Sequence, residues 1–487
     1  MGRSRLTLLV LVLVLSYGAL RITGVDEDED EDWGRERERE ESRERRRRRE
    51  EEREWQGEEP PFLLKESKHV VKTDAGEMRV VWSFGGRFVE GPLRVGFITM
   101  EPKTLFIPQY LDSDLIIFIR RGEAKLGFIY KDELAERRLK IGDLYRIPAG
   151  SAFYLVNTGE GQRLQIICSF DTSESSRIGA FQSFFIGGTS PQSVLSGFDD
   201  EILENAFNVT HVELQEFLSS QQEGPIVYIP DSRSPRTWAK FLQLKEEDKL
   251  KHLKRMVDSN QQGEEEEKKT TWSWRKLLDS VFANRDKKRT GDYKGKGKSP
   301  DSYNLYDAKP DYKNNYGWSI AVDASSYYPL RKSGVGVYLV NLTAGSMMAP
   351  HVNPRATEYG VVLSGAGSVQ IVFPNGTSAM NAEVREGDVF WIPRYFPFCQ
   401  IASRTGPMEF FGFTTSARRN RPQFLAGASS VLRAMRGPEL AAAFGLSEER
   451  LRNLTEAQRE AVILPSASAA PPLKEEKLPE LIRSFGE

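Results

Sequence analysis

Gly345 to Gly365 reads GSMMAPHVNPRATEYGVVLSG, and Gly387 to Ala402 reads GDVFWIPRYFPFCQIA. An earlier stretch, Gly142 to Asn157, reads GDLYRIPAGSAFYLVN. It shares with the second of these the core G-D-[LV]-[YF]-x-I-P, in the same register. Upstream of it, PQYLDSDLIIFIRRG (Pro108 to Gly122) answers PHVNPRATEYGVVLSG, one residue shorter and with Gln109 in the place of His351. The chain therefore carries an internal duplication, which has to be recognised before a fold is assigned. In the first copy the runs MRVVWSF, LRVGFITM, LIIFIRRG, AKLGFIY, DLYRIPAG, AFYLVN and RLQIICSF are separated by turn residues. Short β-rich runs at that spacing suit an antiparallel sandwich or barrel. Pro148 and Gly150 predict a turn between two of the strands, with φ fixed at proline and free at glycine.

The quoted stretches resemble the two motifs of cupin barrels, G-x5-H-x-H-x(3,4)-E-x6-G and G-x5-P-x-G-x2-H-x3-N. Gly345, His351, Asn353, Glu358 and Gly365 fall on the marked positions of the first. Gly387 and Pro393 fall in register with the second, where Tyr395, Phe398 and Ala402 replace its Gly, His and Asn. In the earlier copy Gly142, Pro148, Gly150 and Asn157 match that second motif, with Phe153 at its His position. The resemblance implies a mainly β fold of two antiparallel cupin (jelly-roll) barrels.

Each barrel is followed by a helical arm. DDEILENAFNVTHVELQEFL, from Asp199 to Leu218, predicts two helices. Asn208 ends the first, because Asn tolerates the left-handed conformation. Thr210 and Glu213 form the T-x-x-E capping box that starts the second. In PELAAAFGLSEERLRNL, from Pro438, Gly445 and Ser447 take the places of Asn208 and Thr210. Phe207, Leu214, Phe217 and Leu218 in one arm, and Phe444, Leu446, Leu451 and Leu454 in the other, are apolar residues that an isolated barrel does not cover. A partner is expected there, since large exposed apolar patches mark interfaces. Two similar surfaces meeting head to tail close into a ring when the rotation permits.

A catalytic manganese or iron site of the cupin kind needs three imidazoles and a carboxylate converging inside the barrel. The chain has 4 histidines, His69, His211, His252 and His351, and His351 alone falls on a motif. The first copy offers Gln109, Leu111 and Phe153, the second His351, Asn353, Glu358 and Phe398. This speaks against oxidase or dioxygenase chemistry. Cys399, next to Phe398, leaves two readings. With His351 it makes a thiolate–imidazole pair suited to copper or zinc. Otherwise it is a buried structural cysteine beside a hydrogen-bonded histidine. Neighbours in a strand point to opposite faces, so the metal reading requires a one-residue shift in the FPF turn. Cys168 and Cys399 hold non-equivalent positions in different copies and are not expected to pair. No G-x-S-x-G, P-loop, dinucleotide or zincin motif is supported.

Six regions follow: a signal peptide over 1–24, an acidic and Arg-rich disordered segment over 25–60, the first barrel and arm over 61–231, a charged linker over 232–301, the second barrel and arm over 302–465, and a tail over 466–487. Arg3 and Arg5 precede the apolar run Leu6 to Leu15, which is too short to span a bilayer. No stable membrane association is expected once it is removed. The Arg45 to Arg49 run is interleaved with Glu, and total charge is near balance, with 68 Lys and Arg against 70 Asp and Glu. Neither suits a nucleic-acid partner. In the linker, Trp272, Trp274, Leu277, Leu278, Val281 and Phe282 form an apolar island expected to dock on a neighbour. Sequons at Asn208, Asn341, Asn375 and Asn453 fit a secretory route, with Asn375 in the best turn context.

The stretches NNYGWSIAVDASSYYPL, VGVYLVNLTAGSMMAPHVNPRATEYG and FFGFTTSARRNRPQFLAG carry a more specific resemblance, to the vicilin-like branch of the two-cupin seed storage globulins. It covers roughly Pro61 to Pro465. It implies a non-catalytic nutrient reservoir with no required cofactor, assembled as a homotrimer through the arms. It implies the protein storage vacuole as destination, with the extracellular space as the other outlet of the same route. Some vicilins carry a Cys/His metal site, so the resemblance keeps the copper or zinc reading open. The alternative function is a metal- or small-ligand-binding bicupin with a defence or signalling role.

Overall fold

The apolar runs of the first copy become strands. Gly76–Val81, Leu93–Met100, Asp114–Arg121, Asp143–Ile147 and Leu164–Asp171 join Ser67–Thr73 in one sheet. Thr104–Leu111, Phe153–Asn157, Ala124–Tyr130 and Glu133–Leu139 form the other, edged by Ser183–Phe185 and Ile226–Tyr228. The computed structural model describes residues 62–81, 93–173, 175, 180–229, 301–418, 420–466 and 468–471. The expected signal peptide, the Arg-rich tract, most of the expected linker with its Trp272–Phe282 island, and the end of the expected tail lie outside the described residues.

Between the two sheets lies a core of Ile98, Leu115, Ile117, Leu126, Phe153 and Phe170. The larger sheet is buried on its other face too. There Val95, Phe97, Ile116, Phe118, Leu144 and Ile167 join the core of the second module. Burial on both faces removes the in–out alternation of a half-exposed strand. That is why LIIFI reads as an unbroken apolar run and LQIICSF as a nearly apolar one, broken only by Gln165 and Ser169. Phe118 stacks on Phe411 across the junction, 4.0 Å between centroids and 11° between planes. Beside them Arg120 donates to the Leu363 carbonyl at 2.8 Å and pairs with Glu386.

The second module is organised by the 15-residue strand Glu358–Val372. Its first half pairs with Val389–Ile392 and Met408–Thr414, its second half with Ser378–Arg385 and Pro397–Ala402. One continuous strand thus belongs to both walls. Gly365 lies where the walls divide, at φ 77°, and a Cβ there would meet the Pro407 carbonyl oxygen at 1.8 Å. Only glycine fits that approach. Gly336–Leu342 and Gly317–Val322 extend the first wall beyond Met408–Thr414.

The modules exchange short strands. Leu63–Leu64, ahead of the first copy, pairs with Phe390 and Val389 of the second. Tyr303–Asn304, ahead of the second copy, pairs with Leu144 and Asp143 of the first. Both exchanges land on the repeated G-D-[LV]-[YF] core, so each copy is completed by a segment leading into the other.

Both arms begin and end as their sequence predicts. Asp200–Phe207 stops at Asn208, in the left-handed region at φ 54° and ψ 51°. His211–Ser219 starts from Thr210 with both bonds of the capping box. In the second arm Gly445 takes φ 62° after Pro438–Ala443, and the Ser447 side chain accepts from the Arg450 amide to start Glu448–Glu456. The expected apolar surface needs correction at two positions. Leu214 is 0% and Leu451 4% exposed, so these side chains anchor the arms to their own subunit. Phe207, Phe217, Phe444, Leu446 and Leu454 remain exposed. Leu218 is half-buried.

Candidate functional site: the interior of the second barrel

His351 lies in the two-residue strand His351–Val352, opposite Phe398 in antiparallel register. Gln109 lies opposite Phe153 in the same way. The two copies therefore place an imidazole and an amide at one equivalent point, each beside a phenylalanine. In the first barrel Leu111 and Phe153 belong to the packed core. In the second, the His351 ring lies 4.0 Å from the Phe398 centroid and 5.3 Å from that of Phe424. Its Nδ1 is 2.7 Å from the Ala349 carbonyl, which sets Nδ1 as the protonated nitrogen and leaves Nε2 as an acceptor. Burial pushes its pKa down to about 4, against the opposing effect of that hydrogen bond.

Asn353 serves as a local brace. Its Oδ1 accepts from the amides of Arg355 and Ala356 at 3.0 and 3.1 Å, closing the turn that leads into Glu358. Its Nδ2 donates to Glu358 Oε1 at 2.7 Å. Burial raises the Glu358 carboxyl to about 7, and the Asn353 bond opposes that rise. Tyr338, buried and near Glu358, is raised well above its ordinary value, mainly by burial and further by the carboxylate charge.

Cys399 does not join this group. Phe398 and Ala402 belong to the main core, while Cys399 and Ile401 pack with Ala470 and Met347 in a separate cluster. Gln400 lines the cavity. The strand Pro397–Ala402 thus alternates regularly, and the FPF turn does not shift its register. The expected His351–Cys399 pair is corrected on that ground. Burial raises the Cys399 thiol to about 11, so a thiolate is disfavoured. The remaining donors do not fit a cupin metal centre either. Asn353 turns its amide nitrogen, not its oxygen, toward Glu358, and Phe398 offers no donor. Among the described residues no group of three or more His, Cys, Asp or Glu side chains gathers as for a metal ion. Cys168 and Cys399 are both free thiols.

The interior is an open cavity of about 900 Å³ reached past Asp311, Asp323 and Arg421. His351, Asn353, Glu358, Tyr338, Gln400 and Asn420 are among its polar lining residues, with hydroxyls of Ser319, Ser325, Ser326 and Thr414 besides. Sequence reasoning missed Tyr338, Gln400 and Asn420. The available signal was alternation: Gln400 follows Phe398 by two residues and so shares its face. Of the sequons, Asn208, Asn375 and Asn453 are exposed, while Asn341 lies half-buried in Gly336–Leu342 and is bonded to Glu409.

Two barrels joined face to face, with the metal motifs reduced to one histidine and one carboxyl, define a bicupin. The cupin family profile matches the chain twice, over residues 90–215 and 303–452. The chain belongs to the cupin family, as a bicupin of the vicilin-like globulin type. It is 57% identical over 418 residues to a vicilin-like seed storage protein of Arabidopsis thaliana, covering 84% of this chain and 81% of the relative. A second Arabidopsis thaliana vicilin-like seed storage protein is 33% identical over 88% of this chain, which spans 56% of that longer relative. Among solved structures, the vicilin of hazelnut, Corylus avellana, superposes with a TM-score of 0.65 at 23% identity, covering 84% of this chain and 100% of the hazelnut chain.

Proposed function

We propose that this protein is a seed reserve globulin with no catalytic role. The observation that carries the reading is the 57% identity to a vicilin-like seed storage protein through both modules. The interior agrees with it: phenylalanine and leucine stand where a catalytic cupin needs imidazoles, so the reserve role calls for no cofactor. The apolar run Leu6 to Leu15 and the sequons support passage through the secretory pathway to a storage vacuole, with Asn375, exposed in a turn, as the favoured glycan site. The exposed Phe207, Phe217, Phe444, Leu446 and Leu454 support self-association through the arms, as a homotrimer of the vicilin kind. Immunoblotting across seed maturation and germination tests the reading. Accumulation to abundance in maturing seed bodies and disappearance on germination is expected. A constant, low level in seed and leaf alike would overturn it.

A further inference from the structure

The second arm breaks a local rule that the first arm obeys. The arms are in register through Asn208 with Gly445 and Thr210 with Ser447, so Glu213 and Arg450 hold one position, the third residue of the helix after its cap. Glu213 suits that position. Its Oε2 accepts from the Thr210 amide at 2.9 Å and from Thr210 Oγ1 at 2.8 Å. Its charge also suits the positive end of a helix. Arg450 does neither. The Ser447 side chain accepts from the Arg450 amide at 3.3 Å, but the arginine side chain cannot return the bond and sets a cation in the first turn. Among the described residues Arg450 has no carboxylate partner, whereas Arg436 in the same arm pairs with Glu456. A residue that breaks a local rule with no local compensation marks a functional position.

The position lies on the exposed apolar surface. Glu213 precedes Phe217 by four residues and Arg450 precedes Leu454 by four, so each charge shares a helix face with an exposed apolar side chain. Phe217 stands against Phe207, 5.6 Å between centroids, and Phe444 holds the Phe207 position in the second arm. Each arm therefore presents similar apolar side chains edged by one charge, and the charges have opposite sign. The wider surface of the first arm adds to the contrast. From Asp199 to Glu223 it has no Lys or Arg, and Asp199, Asp200, Glu201 and Glu216 are exposed. Two first arms facing each other would bring Glu213 toward Glu213, and two second arms Arg450 toward Arg450. Like charges set together at an interface suppress that pairing, and opposite ones favour it.

We propose that Glu213 of one subunit pairs with Arg450 of the next, so that charge selects contact between unlike arms and excludes contact between like ones. The pairing rests on the self-association inferred above and adds which surfaces meet. Contact between unlike surfaces is the kind that closes into a ring. Sedimentation of the full chain near neutral pH and at low salt tests it, with Glu213→Arg, Arg450→Glu and the double exchange. Each arm already accommodates the other's residue at this position. Arg450→Glu also completes an S-x-x-E box with Ser447, so it should melt no lower than the parent. Either single exchange should raise the concentration at which the assembly half-dissociates by about tenfold or more. The double exchange, which restores opposite charges at every contact, should bring it back toward the parent. A parent that sediments as a monomer would overturn the self-association itself. A parent oligomer that the single exchanges leave unchanged, or a double exchange no better than the singles, would overturn the pairing alone. Should Glu213→Arg melt well below the parent, Glu213→Gln, which keeps the capping bonds, replaces it beside Arg450→Glu. Each should weaken the assembly at low salt, and an unchanged assembly in either overturns the pairing.

Discussion

Tyr395 occupies, at φ 78°, the place that Gly150 holds at φ 71° in the first copy. The substitution reads in the sequence as a departure from the motif, yet the backbone turn is unchanged. Its amide donates to the Asn353 carbonyl at 3.1 Å, and the Arg394 guanidinium lies 4.6 Å from its ring. Those contacts hold a side chain in a conformation that costs a non-glycine residue roughly 1–2 kcal/mol. Glycine removes that strain but loses more entropy on folding. Tyr395→Gly should therefore raise stability by about 0.5–1 kcal/mol in urea unfolding, and a loss would show that the ring contacts outweigh the strain. Glu358 and His351 form a second residue-scale balance. Glu358 titrates at about 7 against an ordinary 4.5, so its contribution to stability is complete below 4.5 and lost as pH rises through 7. His351 titrates at about 4 against 6.5, so its contribution is complete above 6.5 and lost as pH falls through 4. The windows overlap and the signs oppose, so together they alter stability little across that range. Glu358→Gln removes one side only. Its stability relative to the parent should fall by roughly 3 kcal/mol between about pH 8 and about pH 4. Parallel pH curves for the two proteins would contradict the burial of that carboxyl.

At the scale of elements, the arms show how local chemistry carries over between copies with different residues. Asn208 and Gly445 both take the left-handed stop, and Thr210 and Ser447 both supply the start. Thr210→Ala should cost about 1 kcal/mol. The loss should appear as faster amide exchange in His211–Ser219 with the barrel amides unchanged; loss spread through the barrel would mean that the arm is not a separate unit. Strands were legible where both faces are buried, because they read as apolar runs. Glu133–Leu139, ELAERRL, is mostly charged and half-exposed, with no such signature. It is a strand because Ala124–Tyr130 offers its hydrogen-bonding edge along the whole length. Cys399 shows the converse. Strict alternation was predictable, and only the regular pairing of Phe398 with His351 decided that the thiol faces away from the cavity.

For the whole molecule, the junction buries the outer face of the central strands of the larger sheet of the first module. Val95, Phe97, Ile116 and Phe118 are buried only because the second module covers them. The arms carry several of the large apolar side chains that stay exposed, among them Phe207, Phe217, Phe444 and Leu454. Phe444 is 54% exposed in the single subunit, so Phe444→Asp should leave subunit stability nearly unchanged. In the proposed ring it places a carboxylate at an interface, which costs several kcal/mol, roughly, when no partner is present. Sedimentation near neutral pH should show the parent as an oligomer and the variant shifted toward monomer. A parent that sediments as a monomer would sink the assembly.

The duplication, the strand-rich character, the helix stops and starts, and the loss of the imidazoles were all determined by sequence, because each rests on residue type at fixed local spacing. Turn, cap and motif chemistry act over a few residues, so the order of residues is enough to read them. Tertiary structure alone decided the exchange of Leu63–Leu64 and Tyr303–Asn304 between modules, the double burial of the first sheet, and the burial of Leu214 and Leu451. It also decided the meeting of Tyr338, Gln400 and Asn420 with Glu358 in one cavity. These residues lie far apart along the chain, and closure of the barrel brings them together. Whether a side chain there is satisfied or left over depends on neighbours that no local pattern names.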